Sequence, residues 1–433
     1  MAEQPHKHEG VGAANAGLIL ENGTLLEPMR EPVPDAAVWI REGRVAYAGS
    51  RSNLPREAAA AVRVDVRGGF IAPGFVDVHV HGGGGADTME ASVEALRRMS
   101  LAHAAAGTTT LLCTTVTASE PQLTAAIRAA RMAASAAAEA PARAAPGEGG
   151  GEAAGVWGAR IAGVHLEGPY LNPERKGAQN PAYMRDPSLA ELARLVEAGG
   201  PAPAGLEGRP FVRLMTLAPE RPGALEAIRW LRQAGVAVAL GHSAADETTV
   251  REAIEAGASQ VTHLFNGMPP FHHRSPGLSG VALADDRLVV QLIPDGVHVH
   301  PTALRVAFRA RGPCGIALIT DALAPMGLGE GRFRLGELEV EVRDGACRLE
   351  DGTLAGSILG LGDGVRNMVR WAGATVAEAV TMASRVPAAC LGVSEKLGTL
   401  RAGAMGDAVV LEPDDWRVVL TVVGGRIVFR RGL

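Results

Sequence analysis

Two periodicities divide this chain. From Gly17 to about Val66, short apolar runs are separated by turn dipeptides, notably Asn22-Gly23 and Glu42-Gly43, the pattern of a small antiparallel sheet. The same texture returns at the other end. Asp407 to Leu411, Val418 to Val423 and Arg426 to Arg430 read as strands, with Gly424-Gly425 as a hairpin turn. Either set alone would leave strand edges open, so the simplest arrangement is one small β unit assembled from both termini. Between them, β-branched or apolar runs alternate with longer amphipathic stretches, the βαβα rhythm of a parallel sheet. The candidate strands are Phe75 to Val80, Thr108 to Thr115, Ile161 to Leu166, Val212 to Leu217, Val236 to Leu240, Gln260 to Leu264, Leu288 to Ile293 and Ile316 to Thr320, eight in all. Alanine, leucine and arginine at helical spacing predict helices over Ser92 to Ala105, Gln122 to Ala138, Leu189 to Glu197, Ala224 to Gln233 and Glu247 to Ala256.

After the eighth strand the rhythm breaks. Gly331 to Thr353 reads as a β-hairpin insertion before two last helices, Val365 to Trp371 and Val376 to Ala389. Ala140 to Gly155, rich in alanine, proline and glycine, reads as a flexible surface insertion, and residues 1–14 as a flexible tail. The expected fold is therefore α/β: a (β/α)8 TIM-type barrel over residues 74–395, with a small β-sandwich domain formed from both termini, residues 15–73 and 396–433.

Composition narrows the function classes. A length of 433 residues suits one barrel of about 250 residues with a satellite. Lysine and arginine total 42 against 47 aspartate and glutamate, a net charge of -5, so there is no bulk attraction to nucleic acid or to an anionic membrane. An anionic ligand has to be held locally. Cys113, Cys314, Cys347 and Cys390 lie far apart with no CxxC pair, which argues against a disulfide framework or a cysteine zinc site. Met1 to Ala14 lacks the apolar stretch of a secretory signal, and no apolar run is long enough to span a membrane. A reducing, cytoplasmic compartment is the expectation.

In a barrel, the side chains at the C-terminal strand ends converge on one mouth. Here strand one ends in His79-Val80-His81, strand three in His165-Leu166-Glu167, strand five in Gly241-His242-Ser243, strand six in Thr262-His263 and strand eight in Thr320-Asp321. Residues two apart share a strand face, so His79 and His81 can grip one ion, and His165 aligns with Glu167. Imidazole and carboxylate ligands suit zinc, iron or cobalt, and a carboxylate can bridge two such ions. A lone histidine at a strand end is more often a satisfied core residue than a ligand; it is the ordered set that points to metal. His165 stands open between ligand and outer donor orienting Glu167. His103, on a predicted helix, reads as structural, and His6 and His8 fall in the tail. Gly82 to Gly85 lacks the Lys-Ser/Thr of a phosphate loop and reads as a segment that lets backbone approach the mouth.

The run "GFVDVHVHG" (Gly74 to Gly82), the terminal β segments and the strand-eight aspartate resemble the amidohydrolase superfamily. More narrowly, "HLEGPYLNPERKGAQNP" (His165 to Pro181), "LGHS", "THLFNGMPPFHHRSPG" (Thr262 to Gly277), "PDGVHV", "TDALAPMG" and "LAGS" (Leu354 to Ser357) resemble the N-acetylglucosamine-6-phosphate deacetylase family. The resemblance implies principal metal ligands at Glu167, His242 and His263 and a catalytic Asp321. Because His79 and His81 are both present, it implies a second divalent metal beside the first. It further implies substrate contacts at Ala178, Gln179, Asn266, Gly267, Arg274, His298 and the backbone of Leu354, Ala355 and Gly356. Gln179 stands where other members have histidine, and Gly267 where some have alanine. A homodimer is implied too, with the phosphate pocket completed across the interface by Arg274 or His298.

The expected reaction is hydrolysis of the acetamide of N-acetyl-D-glucosamine 6-phosphate, a phosphorylated amino sugar. A divalent metal lowers the pKa of water from about 15.7 toward about 7, making hydroxide available as nucleophile. Asp321 would accept the proton and return it to the leaving nitrogen, and His298 would aid the oxyanion. Arg274, in a proline-rich loop beside His272 and His273, is the candidate phosphate ligand because guanidinium binds phosphate bidentately; the bland alternative is a solvated surface charge. Two rival readings fit the same barrel. Other amidohydrolases, such as an N-acetylgalactosamine-6-phosphate deacetylase, a dihydroorotase, an imidazolonepropionase or an N-acyl amino acid deacylase, would share the metals; many of them bridge metals with a carboxylated lysine on strand four, and "VRLMTLAPE" has no lysine. A non-catalytic barrel scaffold would be expected to have lost ligands that this chain keeps.

Overall fold

The computed structural model describes residues 16–140, 155–203 and 205–433; the expected tail, with His6 and His8, and nearly all of the Ala140 to Gly155 insertion lie outside the described residues. Eight parallel strands form one sheet in chain order: β1 (Phe75–Val80), β2 (Thr108–Thr115), β3 (Arg160–Glu167), β4 (Val212–Leu217), β5 (Ala237–Leu240), β6 (Gln260–Val261), β7 (Val289–Leu292) and β8 (Ile316–Leu318). All six residues of β1 and all eight of β2 are buried. A parallel strand covered on both faces needs such a continuous run, which apolar and threonine side chains supply except at Asp77 and His79 of β1.

The barrel closes through the segment after β8. Asp321 N–H donates to His79 O at 2.9 Å, and His81 and Gly82 N–H both donate to Ala322 O at 3.0 and 2.8 Å. Closure therefore runs through the residues expected to carry the chemistry. Helices Val93–Ala105, Glu120–Glu139, Leu189–Gly199, Ala224–Gln233, Glu247–Ala256, Gly277–Ala284 and Pro301–Arg311 follow β1 to β7 in turn. Their starts are legible: Ser92, Ser188 and Asp246 each accept a backbone N–H from the first turn.

Three expectations need adjustment. Strand six, expected over Gln260 to Leu264, pairs only over Gln260–Val261, because the chain leaves the ladder into left-handed backbone at His263 (φ 29) and Phe265 (φ 79). The last helix, expected as one over Val376 to Ala389, is two, Val376–Ala383 and Arg385–Cys390, broken at Ser384. Pro387 explains the break, since it has no N–H to offer Ala383 and its ring crowds that carbonyl. The hairpin insertion is a three-stranded meander, Gly331–Leu335, Leu338–Arg343 and Ala346–Arg348.

The terminal strands do pair. Ala408–Leu411 runs antiparallel to Phe70–Pro73, joining the two ends of the chain in one eight-stranded sheet. Leu20, Val38, Ile71, Val410 and Leu420 from five strands share one core. The sheet curls to do so, and Val45 N–H reaches Ala404 O at 2.9 Å; one curled sheet thus supplies both layers of the expected sandwich. It is bolted to the closed end of the barrel. Arg160, at the start of β3, pairs with Asp407, and Thr421 Oγ1 donates to Ala104 O at 2.8 Å. No helix among the described residues is long and apolar enough to cross a membrane.

Candidate metal and active site

Five buried side chains from four strand ends meet at the mouth. Glu167, at the end of β3, lies at their centre. Its Oε1 is 3.2 Å from His242 Nε2 and 3.1 Å from His263 Nε2, and its Oε2 is 3.2 Å from His81 Nε2. His79 Nε2 stands 3.4 Å from Oε1. Two ligand sets therefore share one carboxylate: His79, His81 and Glu167 on one side, Glu167, His242 and His263 on the other, with the ligand atoms of each set within 4.8 Å of one another. Asp321 Oδ1 closes the ring, 3.3 Å from His79 Nε2 and 3.2 Å from His81 Nε2.

The histidine tautomers show what the cluster is built to hold. His242 Nδ1 is 2.8 Å from Arg175 O, and His263 Nδ1 is 3.1 Å from Asn266 O. A carbonyl only accepts, so each Nδ1 carries the proton and each Nε2 is the nitrogen left facing Glu167, the position from which a neutral imidazole would bind a metal. His79 Nδ1 faces Gln291 Oε1 at 3.4 Å, and Gln291 is itself oriented by Nε2 donating to Gln260 at 3.1 Å. The Nε2 atoms also face each other, 3.1 Å apart in both the His79–His81 and the His242–His263 pairs. Such an array is repulsive unless a cation sits within it, and anchoring of the outer nitrogen is how metal-binding imidazoles are held.

Charge leads to the same conclusion. Burial opposes ionisation of Glu167, yet His79, His242 and His263 hold its carboxyl well below the usual range. Burial also works against a charge on His81, but Asp321 and Glu167 beside it push it up to about 10. Burial would raise Asp321 as well, and His79 and His81 instead bring it down to about 2. The two buried carboxylates thus demand positive charge, which divalent cations supply without protonating the ligands. Nitrogen and carboxylate donors of this kind fit zinc, iron or cobalt.

The backbone bends to deliver these groups. His242 (φ 48), His263 (φ 29) and Asp321 (φ 50) all occupy the left-handed region, where a side chain costs about 1 kcal/mol or more. Gly267 (φ 63) lies against the cluster, and a Cβ there would meet His242 Nδ1 at 3.1 Å, a tight fit. Gly356 (φ 57) is needed because a Cβ would lie 2.7 Å from Asp321 O.

The cavity over the cluster has a volume of about 210 Å³. Ala178, Gln179, Asn266, Gly267, His298, Leu354 and Gly356 line it. Ala355 does not; its side chain is buried with Leu323 in the apolar layer behind. Nor does Arg274, which is exposed and places Nη1 2.9 Å from His273 Nε2. His165 is fully buried but does not orient Glu167. Its two ring nitrogens face Thr216 Oγ1 at 2.8 Å and Thr114 Oγ1 at 3.3 Å, and its ring supports His79 edge-on. His103 is structural, its Nε2 donating to Gly82 O at 2.9 Å.

Several contributors escaped the sequence reading. Gln179 was expected at the sugar; its Nε2 donates to Glu167 Oε2 at 2.6 Å and its Oε1 accepts Thr117 N–H at 2.6 Å. Asp77 accepts Thr320 Oγ1 at 2.7 Å and His79 N–H at 3.2 Å, pinning β1 to β8. Alternation gave a usable signal for it, since Asp77, His79 and His81 share a strand face. Gln291 on β7 had none.

A model of the amidohydrolase family matches residues 70–428. The chain belongs to that family. Among relatives, the N-acetylglucosamine-6-phosphate deacetylase of Bacillus subtilis (strain 168) is 36% identical over 401 residues, 92% of this chain and 94% of the relative. The N-acetylgalactosamine-6-phosphate deacetylase of Escherichia coli O157:H7 is 39% identical over 343 residues, 79% of this chain and 84% of the relative. The crystal structure of the N-acetyl-D-glucosamine-6-phosphate deacetylase from Mycobacterium smegmatis superposes with a TM-score of 0.81 at 35% identity, covering 95% of this chain and 99% of that one.

The amidohydrolase site yields a metal prediction. Protein purified without chelator should carry up to two divalent ions per chain by elemental analysis. His79→Ala should lower the content by about one ion, whereas His242→Ala should empty the other set. Chelation should lower the melting temperature, because ions bound only by the folded chain stabilise it; an unchanged midpoint would separate the cluster from metal.

Proposed function

We propose that this chain hydrolyses the acetamide of N-acetyl-D-glucosamine 6-phosphate to D-glucosamine 6-phosphate and acetate. The observation that carries the reading is one buried carboxylate, Glu167, shared by two histidine pairs beside Asp321, in a chain related along most of its length to deacetylases of this substrate. The chemistry falls to the barrel, residues 74–395, while the terminal segments, 15–73 and 396–433, brace its closed end. Glu167, His242 and His263, together with His79 and His81, would hold one or two divalent metals, which would supply the Lewis acidity that makes water a nucleophile near neutral pH.

The remaining work belongs to the protein's own groups. Asp321, held as a carboxylate by His79 and His81, accepts the proton of the attacking water. It then delivers that proton to the amide nitrogen, so that an amine leaves instead of an amide anion. His298 lines the cavity with Nδ1 held by Asp295 Oδ2 at 2.6 Å. Burial works against its charge, but Asp295 raises its pKa, so the imidazolium persists to higher pH and can donate to an anionic oxygen. Arg274, exposed on the loop after β6, serves the phosphate of a neighbouring subunit's site in a homodimer. A cytoplasmic setting fits a sugar-phosphate substrate and unpaired cysteines.

The relative named for N-acetylgalactosamine 6-phosphate supports a second reading, in which the C4 epimer is the better substrate. Comparing kcat/KM for the two sugar phosphates decides between them.

Asp321→Asn should retain metal and lower kcat by about a thousandfold or more, the proton acceptor having been lost. Arg274→Ala should raise KM for the phosphorylated sugar while leaving an unphosphorylated analogue unaffected; equal effects on both would remove it from phosphate binding. Asp295→Asn should lower the pKa of His298, so KM for the phosphorylated sugar should begin to rise at lower pH than in the parent. A KM–pH profile that does not move would take His298 out of anion binding.

A further inference from the structure

A second cavity, of about 450 Å³, lies beside the site cavity and shares Ala178 and Leu335 with it as walls. The partition is thin. Thr117 on the far side donates its N–H at 2.6 Å to Gln179 on the near side, so one layer of side chains separates the two spaces. The outer cavity is lined largely by apolar groups, among them Met89, Val116, Ala118, Phe333 and Leu338. Its position follows from topology. Its walls come from the loops after β1, β2 and β3 and from the meander, whereas Asn266, Gly267 and His298 come from the loops after β6 and β7 on the other side of the metal cluster.

An amide fixes the direction of its two halves, because the acyl carbon carries the nitrogen on one side and the acyl chain on the other. With the carbonyl at the cluster and the phosphorylated sugar toward His298, the acyl chain points to Ala178 and Leu335, the wall that the site cavity shares with the apolar one. We propose that this chain is a deacylase of wider range, taking N-propionyl, N-butyryl and N-pentanoyl hexosamine 6-phosphates, with acyl chains longer than acetyl entering the outer cavity between Ala178 and Leu335. The proposal rests on the deacetylase reading and extends its substrate class. The reaction balances in the same way: water adds to the acyl carbon, the C–N bond breaks, the amino sugar leaves protonated and the carboxylate is propionate, butyrate or pentanoate in place of acetate. Each methylene that leaves water for an apolar wall favours binding by roughly fourfold, which offsets the cost of ordering a longer chain.

The test compares kcat/KM of the metal-loaded wild-type enzyme on N-acetyl- and N-butyrylglucosamine 6-phosphate. The butyryl compound is expected within about tenfold of the acetyl one. Met89→Trp and Leu338→Trp, each filling the outer cavity without lining the site, are expected to cut the butyryl-to-acetyl ratio by about tenfold or more and leave acetyl turnover within about twofold. A wild-type enzyme that turns over acetyl but is more than about a hundredfold slower on butyryl overturns the proposal and leaves the deacetylase reading standing. Variants that lower both substrates equally also overturn it. Failure on both compounds by wild type overturns the deacetylase reading itself.

Discussion

A carboxylate sealed inside a barrel cannot remain ionised without compensation, and the architecture at the mouth follows from supplying it to Glu167. An unpaired buried charge costs many kcal/mol, so it either takes a proton or is surrounded by positive charge and donors. Here His242, His263, His81 and Gln179 all aim hydrogen-bonding or ligand atoms at its two oxygens. No single element can present so many partners to one point. Parallel strands converging on a closed ring can, because each contributes its last residue to the same mouth.

That arrangement explains why some of the site was legible and some was not. His79 and His81 were readable because period-two alternation is a property of sequence, and Glu167, His242, His263 and Asp321 because each ends an apolar run. Gln179, expected at the sugar, lines the cavity but sits in a loop, where no periodicity says which way a side chain turns; only the position of Thr117 just past β2 shows that its amide is also committed to Glu167. Arg274 lies outside the cavity of its own chain, a fact of tertiary arrangement that the residue's neighbours in sequence do not encode. The shortened β6 and the helix break at Ser384 are cases of tertiary or local geometry overriding a run of favourable residues. Pro387 was in view, but a proline three positions into a helix is tolerated, so its effect depends on where the first turn begins.

Strain at the site has to be carried by the rest of the fold. His242, His263 and Asp321 hold left-handed backbone that free chain would abandon, and the barrel core keeps them there. Main-chain closure through Asp321 and Ala322 ties the geometry of the cluster to barrel integrity: the N–H of Asp321, whose carboxylate meets His79 and His81, makes one of the bonds that shut the ring. At the opposite end, the curled terminal sheet covers the barrel floor and clamps β3 through Arg160 and Asp407. β3 is the strand that carries Glu167, so the satellite braces the element whose displacement would unseat both ligand sets at once.

The meander after β8 determines what surrounds the cluster on the side away from His298. Its first turn is tethered at several points: Glu337 accepts from Gln122 at 3.0 Å and from Tyr183 at 3.2 Å, which fixes Leu335 against the loop that carries Ala178. These tethers reach α-helical and loop elements following β2 and β3, the same elements that supply Thr117 and Gln179. The wall facing the acyl group and the strap on the bridging carboxylate are thus built from one continuous set of contacts. Ligand geometry is fixed by strand ends buried in the barrel, whereas the acyl boundary is fixed by an insertion attached to it from outside. Change in the insertion can therefore alter which acyl group fits without moving a ligand atom, and that separation of chemistry from selectivity is what a barrel with loop-borne walls permits.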